Sequence, residues 1–379
     1  MPSPLPSQPS ASLVYEKRYA WIDGLRGLAA LAVVVGHVAQ IEPLGAAAVM
    51  VFFVISGYCI SAALASALGA GIGFRAFMLR RVRRIYPPYI LAVLFFVATR
   101  ILRDRFASPD TFTSFDPTSI DWLLNATLTQ WMNLVPHPTG WPHENPVLFV
   151  SVFWSLCYEE QFYIVMGVLA MTGRMHFALP LSAISLLWIL YFPTTCHGWF
   201  VEYWPMFAVG CLVYWRLCVV SRLSARVAID VGLVVVASLA FTYATRLPWA
   251  RDLGTQWWGW NGSDASRNAF GDLGIAAMFG FLLIAMRASD SWYRSARIVS
   301  VPMGWLGTIS YSLYLVHNFN LRLSAEAARL ILKPLGMTSP GVALYFVQIL
   351  ILIIIAMVFH YFAERPFLKR PLATVHRPD

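Results

Sequence analysis

Charge is what this sequence has least of. Asp, Glu, Lys and Arg make up 12% of its 379 residues, about half the share usual in a soluble domain. Pro43 to Phe74 contains none of them. About 20 apolar residues suffice to cross the hydrocarbon of a bilayer. With 58% of the residues hydrophobic, lipid rather than water is the expected solvent for most of the chain. Cysteine is also scarce. Cys59, Cys157, Cys196, Cys211 and Cys218 include no CxxC pair, and an odd count gives no disulfide framework. They read as small buried hydrophobes. The sequence has no GxSxG, HExxH or Walker loop, which removes three common catalytic readings. No metal is expected. Gly69, Gly71 and Gly73 fall between apolar runs and read as flexible spacing. No repeat of fixed period and no heptads occur, nor the matched broken helices of an inverted-repeat transporter.

What the sequence has in abundance is long apolar runs. Ten spans are expected, at roughly 22–41, 45–68, 85–102, 147–171, 177–193, 203–220, 228–246, 270–287, 302–321 and 342–362. Within lipid the backbone must satisfy its own hydrogen bonds, so the spans are helices; a barrel would need short alternating strands. The fold class is therefore an all-α polytopic transmembrane bundle of about ten helices. A disordered tail is expected over 1–18, the membrane domain over 19–370 and a second tail over 371–379. A cleaved signal peptide is not expected, because it would remove His37. With an even number of spans and the N-terminus inside, 19 Lys and Arg fall in inner segments and nine in outer ones. The positive-inside rule then places both termini in the cytoplasm. The net charge of +9 is read as cationic loops at the membrane surface rather than a nucleic-acid interface. The loop 103–146 is expected to pack back on the bundle. Trp249, Trp257, Trp258 and Trp260 mark a second outer loop, either as an interfacial aromatic belt or as a surface for sugar rings. Asn125-Ala-Thr127 and Asn261-Gly-Ser263 match the glycosylation sequon.

Ionisable residues inside spans are the informative ones, because a charge in lipid is costly. Arg26 lies near the inner end of the first span, and His37 follows eleven residues later, about 16 Å deeper at the helical rise. Depth reckoning puts Glu159 on the fourth span and His317 on the ninth in the same central layer. An imidazole with a carboxylate partner is how a general base is oriented; the other reading is a buried structural network or a proton path. Arg80, Arg81, Arg83 and Arg84 crowd the inner mouth of the third span. They are read either as a topology anchor or as a phosphate clamp, since guanidinium pairs bidentately with phosphate oxygens.

Six segments together resemble the acyltransferase 3 family of membrane acyltransferases. They are Asp23 to Ala30 leading to His37, Val51 to Tyr58, Arg81 and Arg84 before Ile85-Tyr86-Pro87, Trp154 to Tyr163, Ser310 to His317, and Glu364 to Phe367. The resemblance runs from about residue 20 to 370. It implies transfer of an acyl group, often acetyl, from cytoplasmic acyl-coenzyme A to a hydroxyl of an extracytoplasmic glycan or lipid-linked sugar, in the plasma or inner membrane. It assigns His37 the essential histidine role, with Arg26 and Glu159 beside it. It carries the essential arginines over to Arg26, Arg81 and Arg84; beside them, Arg80 is expected to join Arg81 and Arg84 in binding the donor, and His317, Trp154 and Tyr311 to bind the acceptor. The expected mechanism has His37, oriented by Glu159, deprotonate the acceptor hydroxyl, with an acyl-imidazole as the variant. Some relatives carry a fused esterase-like domain, which residues 1–379 do not hold, so hand-over to a separate transferase partner stays open. The rival reading is a transporter or flippase for a sugar or anion, which explains a polar layer but not the ordered segments; a scaffold without activity is the third.

Overall fold

The computed structural model describes residues 19–106, 117–132, 149–191, 198–245, 265–336 and 341–368. Among them every regular element is helical. In chain order these are α1 (Ala20–Ala39), α2 (Glu42–Gly69), α3 (Phe74–Phe106), α4 (Ser119–Ala126), α5 (Trp154–Met171), α6 (Ala178–Tyr191), α7 (Trp204–Tyr214), α8 (Leu223–Thr245), α9 (Ala265–Ala285), α10 (Asp290–Ser295), α11 (Arg297–Val316), α12 (Leu321–Leu332), α13 (Val342–Phe359) and α14 (Arg365–Leu368). The expected tails, the four outer-loop tryptophans and Asn261 lie outside the described residues.

Each of the ten expected spans meets a helix. Among the described residues seven helices are long and apolar enough to cross a membrane, carried by α1, α2, α3, α8, α9, α11 and α13. The remaining three expected spans correspond to α5, α6 and α7. Helices α6 and α7 are short, at 14 and 11 residues, although a π-turn over Trp215–Val219 prolongs α7. Helix α5 has 18 residues but carries Glu159, Glu160 and Gln161 in its first two turns, which lowers its hydropathy. The chain is a multi-pass integral membrane protein.

Two boundaries differ from expectation for identifiable reasons. Helix α3 begins eleven residues before the expected 85 and holds Pro87 and Pro88 in its interior. Each proline removes one backbone donor; close by, the Tyr311 hydroxyl donates to the Ile85 carbonyl at 2.9 Å and ties α11 to this stretch. Helix α11 ends at Val316, short of the expected 321, and the chain turns through Asn318–Asn320 into α12. In α12 Ser324, Ala328 and Leu332 are buried along one face while Leu323, Leu330 and Ile331 are exposed. This is an amphipathic helix packed on α13.

Within lipid, helices associate by close packing rather than by the hydrophobic effect, so small residues at crossings matter. Helices α1 and α11 run parallel and meet at Gly27 and Gly307. A Cβ on Gly27 would lie 2.5 Å from the Gly307 nitrogen, and one on Gly307 would lie 2.1 Å from the Asp23 carbonyl oxygen. Gly57 of α2 and Gly210 of α7 make a second such crossing, with a Cβ on Gly57 placed 2.0 Å from the Phe207 oxygen. Between α2, α5 and α7 the rings of Phe53, Phe162 and Phe207 fill the core, with centroids 4.4 and 4.2 Å from the Phe207 ring. Of the loop 103–146, expected to pack back on the bundle, the described segment holding α4 does so. Its Thr118 and Asp121 form a reciprocal cap, and the Tyr89 hydroxyl donates to the Asn125 carbonyl at 2.5 Å.

Candidate active site

The α1–α11 pair carries two polar ends. In the first half of α1 and past the middle of α11, Arg26 donates from Nε to Ser310 Oγ at 3.1 Å and from Nη2 to the Gly307 carbonyl at 2.9 Å. Asp23 stands 4.0 Å from the same guanidinium. These groups open on a cavity of about 650 Å³, which Arg84, Arg294, Thr308 and Glu364 also line. Glu364 sits on the π-turn His360–Glu364 that ends α13. It is buried, and it accepts the Ser312 hydroxyl at 2.6 Å and His360 Nδ1 at 2.8 Å. Arg294 is paired with Asp290 at 2.7 Å. Arg84 is exposed and makes no ion pair among the described residues, so of the three guanidiniums it is the one available to an anion.

At the opposite end of the pair stand two imidazoles. His37 lies in the last turn of α1, and His317 directly follows α11. Their ring centres are 5.3 Å apart at 38°. His37 is exposed and His317 is fully buried. His317 Nδ1 lies 2.8 Å from the Tyr314 carbonyl and 3.1 Å from that of Leu313, while its Nε2 is buried without a partner. Tyr314 packs on His317 with ring centres 5.9 Å apart; its hydroxyl bonds the Val152 carbonyl and Ser155 Oγ.

Several sequence expectations shift once placed. Of the three residues expected to share one layer, His37 and His317 stand together. His37, however, is near the end of its helix rather than at its centre, because α1 stops at Ala39 where Gln40 adopts a left-handed conformation (φ 56°, ψ 37°). Glu159 is not the group that faces His37. Its carboxylate accepts Ser56 Oγ at 2.8 Å and the Tyr163 hydroxyl, and it stands near Arg81. The guanidinium of Arg81 lies over the rings of Phe77 and Tyr163, at 5.3 and 5.8 Å. Arg81 is therefore held between aromatic faces, and Arg84 alone of the α3 arginines lines the cavity. Arg80 is exposed on α3 away from it. Trp154 packs against Phe53, Tyr158 and Tyr203, and Tyr311 ties α11 to α3 through the Ile85 carbonyl. The cavity lining includes neither imidazole, so the expected passage from the arginine mouth to His37 is not open along that cavity. No cluster of metal-ligating side chains occurs among the described residues.

Sequence reasoning missed Ser310, Glu364, Ser56 and Tyr163 as partners, although all four stand in segments already singled out. Asp272, inside α9, was overlooked as well. It is 6% exposed with Oδ1 unpartnered, and an acid within an apolar span is the kind of residue that should draw notice.

Comparison with known proteins falls in line with this geometry. A family model described as an acyltransferase domain matches residues 19–363. The peptidoglycan O-acetyltransferase OatA of Listeria monocytogenes is 25% identical over 386 aligned positions, covering 94% of this chain and 57% of that protein. The O-acetyltransferase OatA of Staphylococcus aureus is 28% identical over 181 residues, 47% of this chain and 29% of that protein. Protein 2 in the picA locus of Rhizobium radiobacter is 28% identical over 183 residues, 45% of this chain and 94% of that protein. The match thus covers a little over half of the Listeria protein and less than a third of the Staphylococcus aureus one. No solved structure matches it.

Proposed function

The chain belongs to the acyltransferase 3 family, and from that premise we propose that it moves an acyl group, acetyl in the simplest case, from cytoplasmic acyl-coenzyme A to a hydroxyl of an extracytoplasmic glycan. The observation that carries this reading is that one helix pair builds both ends of the path. Arg26 and His37 stand eleven residues apart on α1, and Ser310 and His317 answer them on α11. The helical rise separates Arg26 from His37 by about 16 Å along α1 and Ser310 from His317 by about 10 Å along α11. The 19-to-9 distribution of basic residues supports placing the arginine end in the cytoplasm. There the donor's phosphates meet Arg84 first, in a cavity whose other arginines are already held by neighbours.

His37 is the base in this reading. The thioester carbonyl is brought to its ring, and the acceptor hydroxyl approaches from the exposed side. His37 removes the hydroxyl proton as oxygen attacks, the carbon–sulfur bond breaks, and the same proton goes to the leaving thiolate. Because the arginine cavity stops short of the imidazoles, transfer includes an opening between Thr308 and His317. Glu159 serves to balance Arg81 rather than to orient His37. The test is His37→Ala in the full chain. Normal membrane content with loss of acyl ester formation is expected; undiminished transfer refutes the reading.

A further inference from the structure

We infer that His317 is a positioning residue for His37. Its Nε2 lone pair receives one N–H of the His37 ring and leaves the other His37 nitrogen bare toward the reactants. The inference rests on the proposed acyl transfer and adds to it the residue that sets the tautomer of the base.

The tautomer of His317 follows from its partners. Both atoms near Nδ1 are carbonyl oxygens, which only accept, so Nδ1 carries the proton. A neutral imidazole protonated at Nδ1 is an acceptor at Nε2. That Nε2 is buried and has no partner, and the exposed ring of His37 stands beside it. Two imidazoles joined by an N–H···N bond of about 2.9 Å have ring centres about 5 Å apart. The observed separation of 5.3 Å is of that size, so the proposed bond asks for a reorientation of the His37 ring and no large movement of either helix. Among the described residues two other polar groups singled out for this layer are occupied. Tyr314 points its hydroxyl at Val152 and Ser155, and Glu159 is engaged by Ser56 and Tyr163.

The result resembles a base oriented by a third group, with a neutral imidazole in place of a carboxylate. When His37 takes the hydroxyl proton on its bare nitrogen it becomes an imidazolium, and the N–H it already gives to His317 becomes a charge-assisted bond. The proton that His37 gained leaves with the thiolate, so His317 stays neutral throughout. Among the described residues the groups that bear on His37 are few. Glu42 at the start of α2 is the charged one, and Tyr314 and His317 are the titratable ones on α11. Asp290 and Arg294 on α10, His360 and Glu364 after α13, and Asp23 and Arg26 on α1 itself all belong to the opposite end of the pair.

The experiment compares His317→Leu, His317→Gln and His37→Ala in membranes holding the full chain. Two readouts are taken: kcat and KM for transfer, and the pH dependence of diethylpyrocarbonate labelling at His37, located by peptide mass spectrometry. The leucine variant should lose about 100-fold or more in kcat at unchanged KM. Its His37 labelling midpoint should move to lower pH, because the imidazolium loses its acceptor. Glutamine offers a carbonyl to His37 and an amide N–H to the helix carbonyls, so it should restore most of kcat and the midpoint. A leucine variant with normal kcat and midpoint overturns the inference, as does a glutamine variant as impaired as leucine in both. If leucine is lost from the membrane, the glutamine variant decides alone: a normal midpoint supports the inference and a lowered one overturns it. Full transfer in His37→Ala would instead remove His37 as the base, and no transfer by the unaltered chain would overturn the acyl-transfer reading, so the two failures are told apart.

Discussion

Replacing Gly307 by alanine tests whether the α1–α11 contact sets the geometry of both polar ends. The added Cβ would lie 2.1 Å from the Asp23 carbonyl oxygen and 2.7 Å from its carbon. Both are backbone atoms, so no side chain can swing clear. Restoring ordinary contact, about 3.4 Å, requires the helices to part by about 1.3 Å. The Arg26 Nη2 to Gly307 carbonyl bond of 2.9 Å would lengthen by a similar amount, past the range of a hydrogen bond. Overpacking of this kind costs about 1–3 kcal/mol, and a displacement near 1 Å at a reacting group costs about 100-fold in rate. Gly307→Ala should therefore lower the unfolding temperature of the detergent-solubilised protein and cut transfer per mole of protein by about two orders of magnitude. Gly232→Ala on α8 is the control, since a Cβ there meets nothing within 4 Å. A Gly307→Ala protein with unchanged unfolding temperature and rate would refute the reasoning.

Two other outcomes follow from the described contacts. Arg84→Ala should raise the KM for acyl-coenzyme A by about 10- to 100-fold, the worth of a bond to a charged group, with membrane content unchanged. Arg84→Lys should recover part of it as a point charge, and donor titration of the initial rate measures both. Asn125 should carry no glycan in a host that glycosylates secreted proteins. Its side chain is 1% exposed, donates to the Asp121 carbonyl and accepts the Phe149 N–H; peptide mapping of the folded protein checks this.

The spans were legible because length and apolarity are properties of one segment at a time. Helices α1, α2, α8 and α13 needed nothing beyond the sequence around them. Amphipathic α12 was not found, because its apolar residues are spaced around a face rather than run together, which a search for unbroken stretches passes over. The site was half legible for a related reason. Counting residues along a helix gives depth, which brought His37 and His317 together although they are 280 residues apart. It does not give azimuth. Glu159 was placed at the depth of the imidazoles, yet its side chain turns toward Ser56 and Tyr163. Arg81 and Arg84 differ by three residues, so they differ by most of a turn with a remainder. One ends between aromatic rings and the other in the cavity. Only packing against α5 and α11 decides such directions.

Helix α1 runs without interruption from Arg26 to His37, and this makes the interval between them an angle as well as a length. One residue inserted there would swing the imidazole by roughly 100° around the axis while Gly27 kept the seam where it is. The ring would leave His317 altogether, even with every functional side chain still present. On this stretch the count of residues is a constraint of its own, and Ala32 or Val35 can change identity far more freely than the stretch can change size.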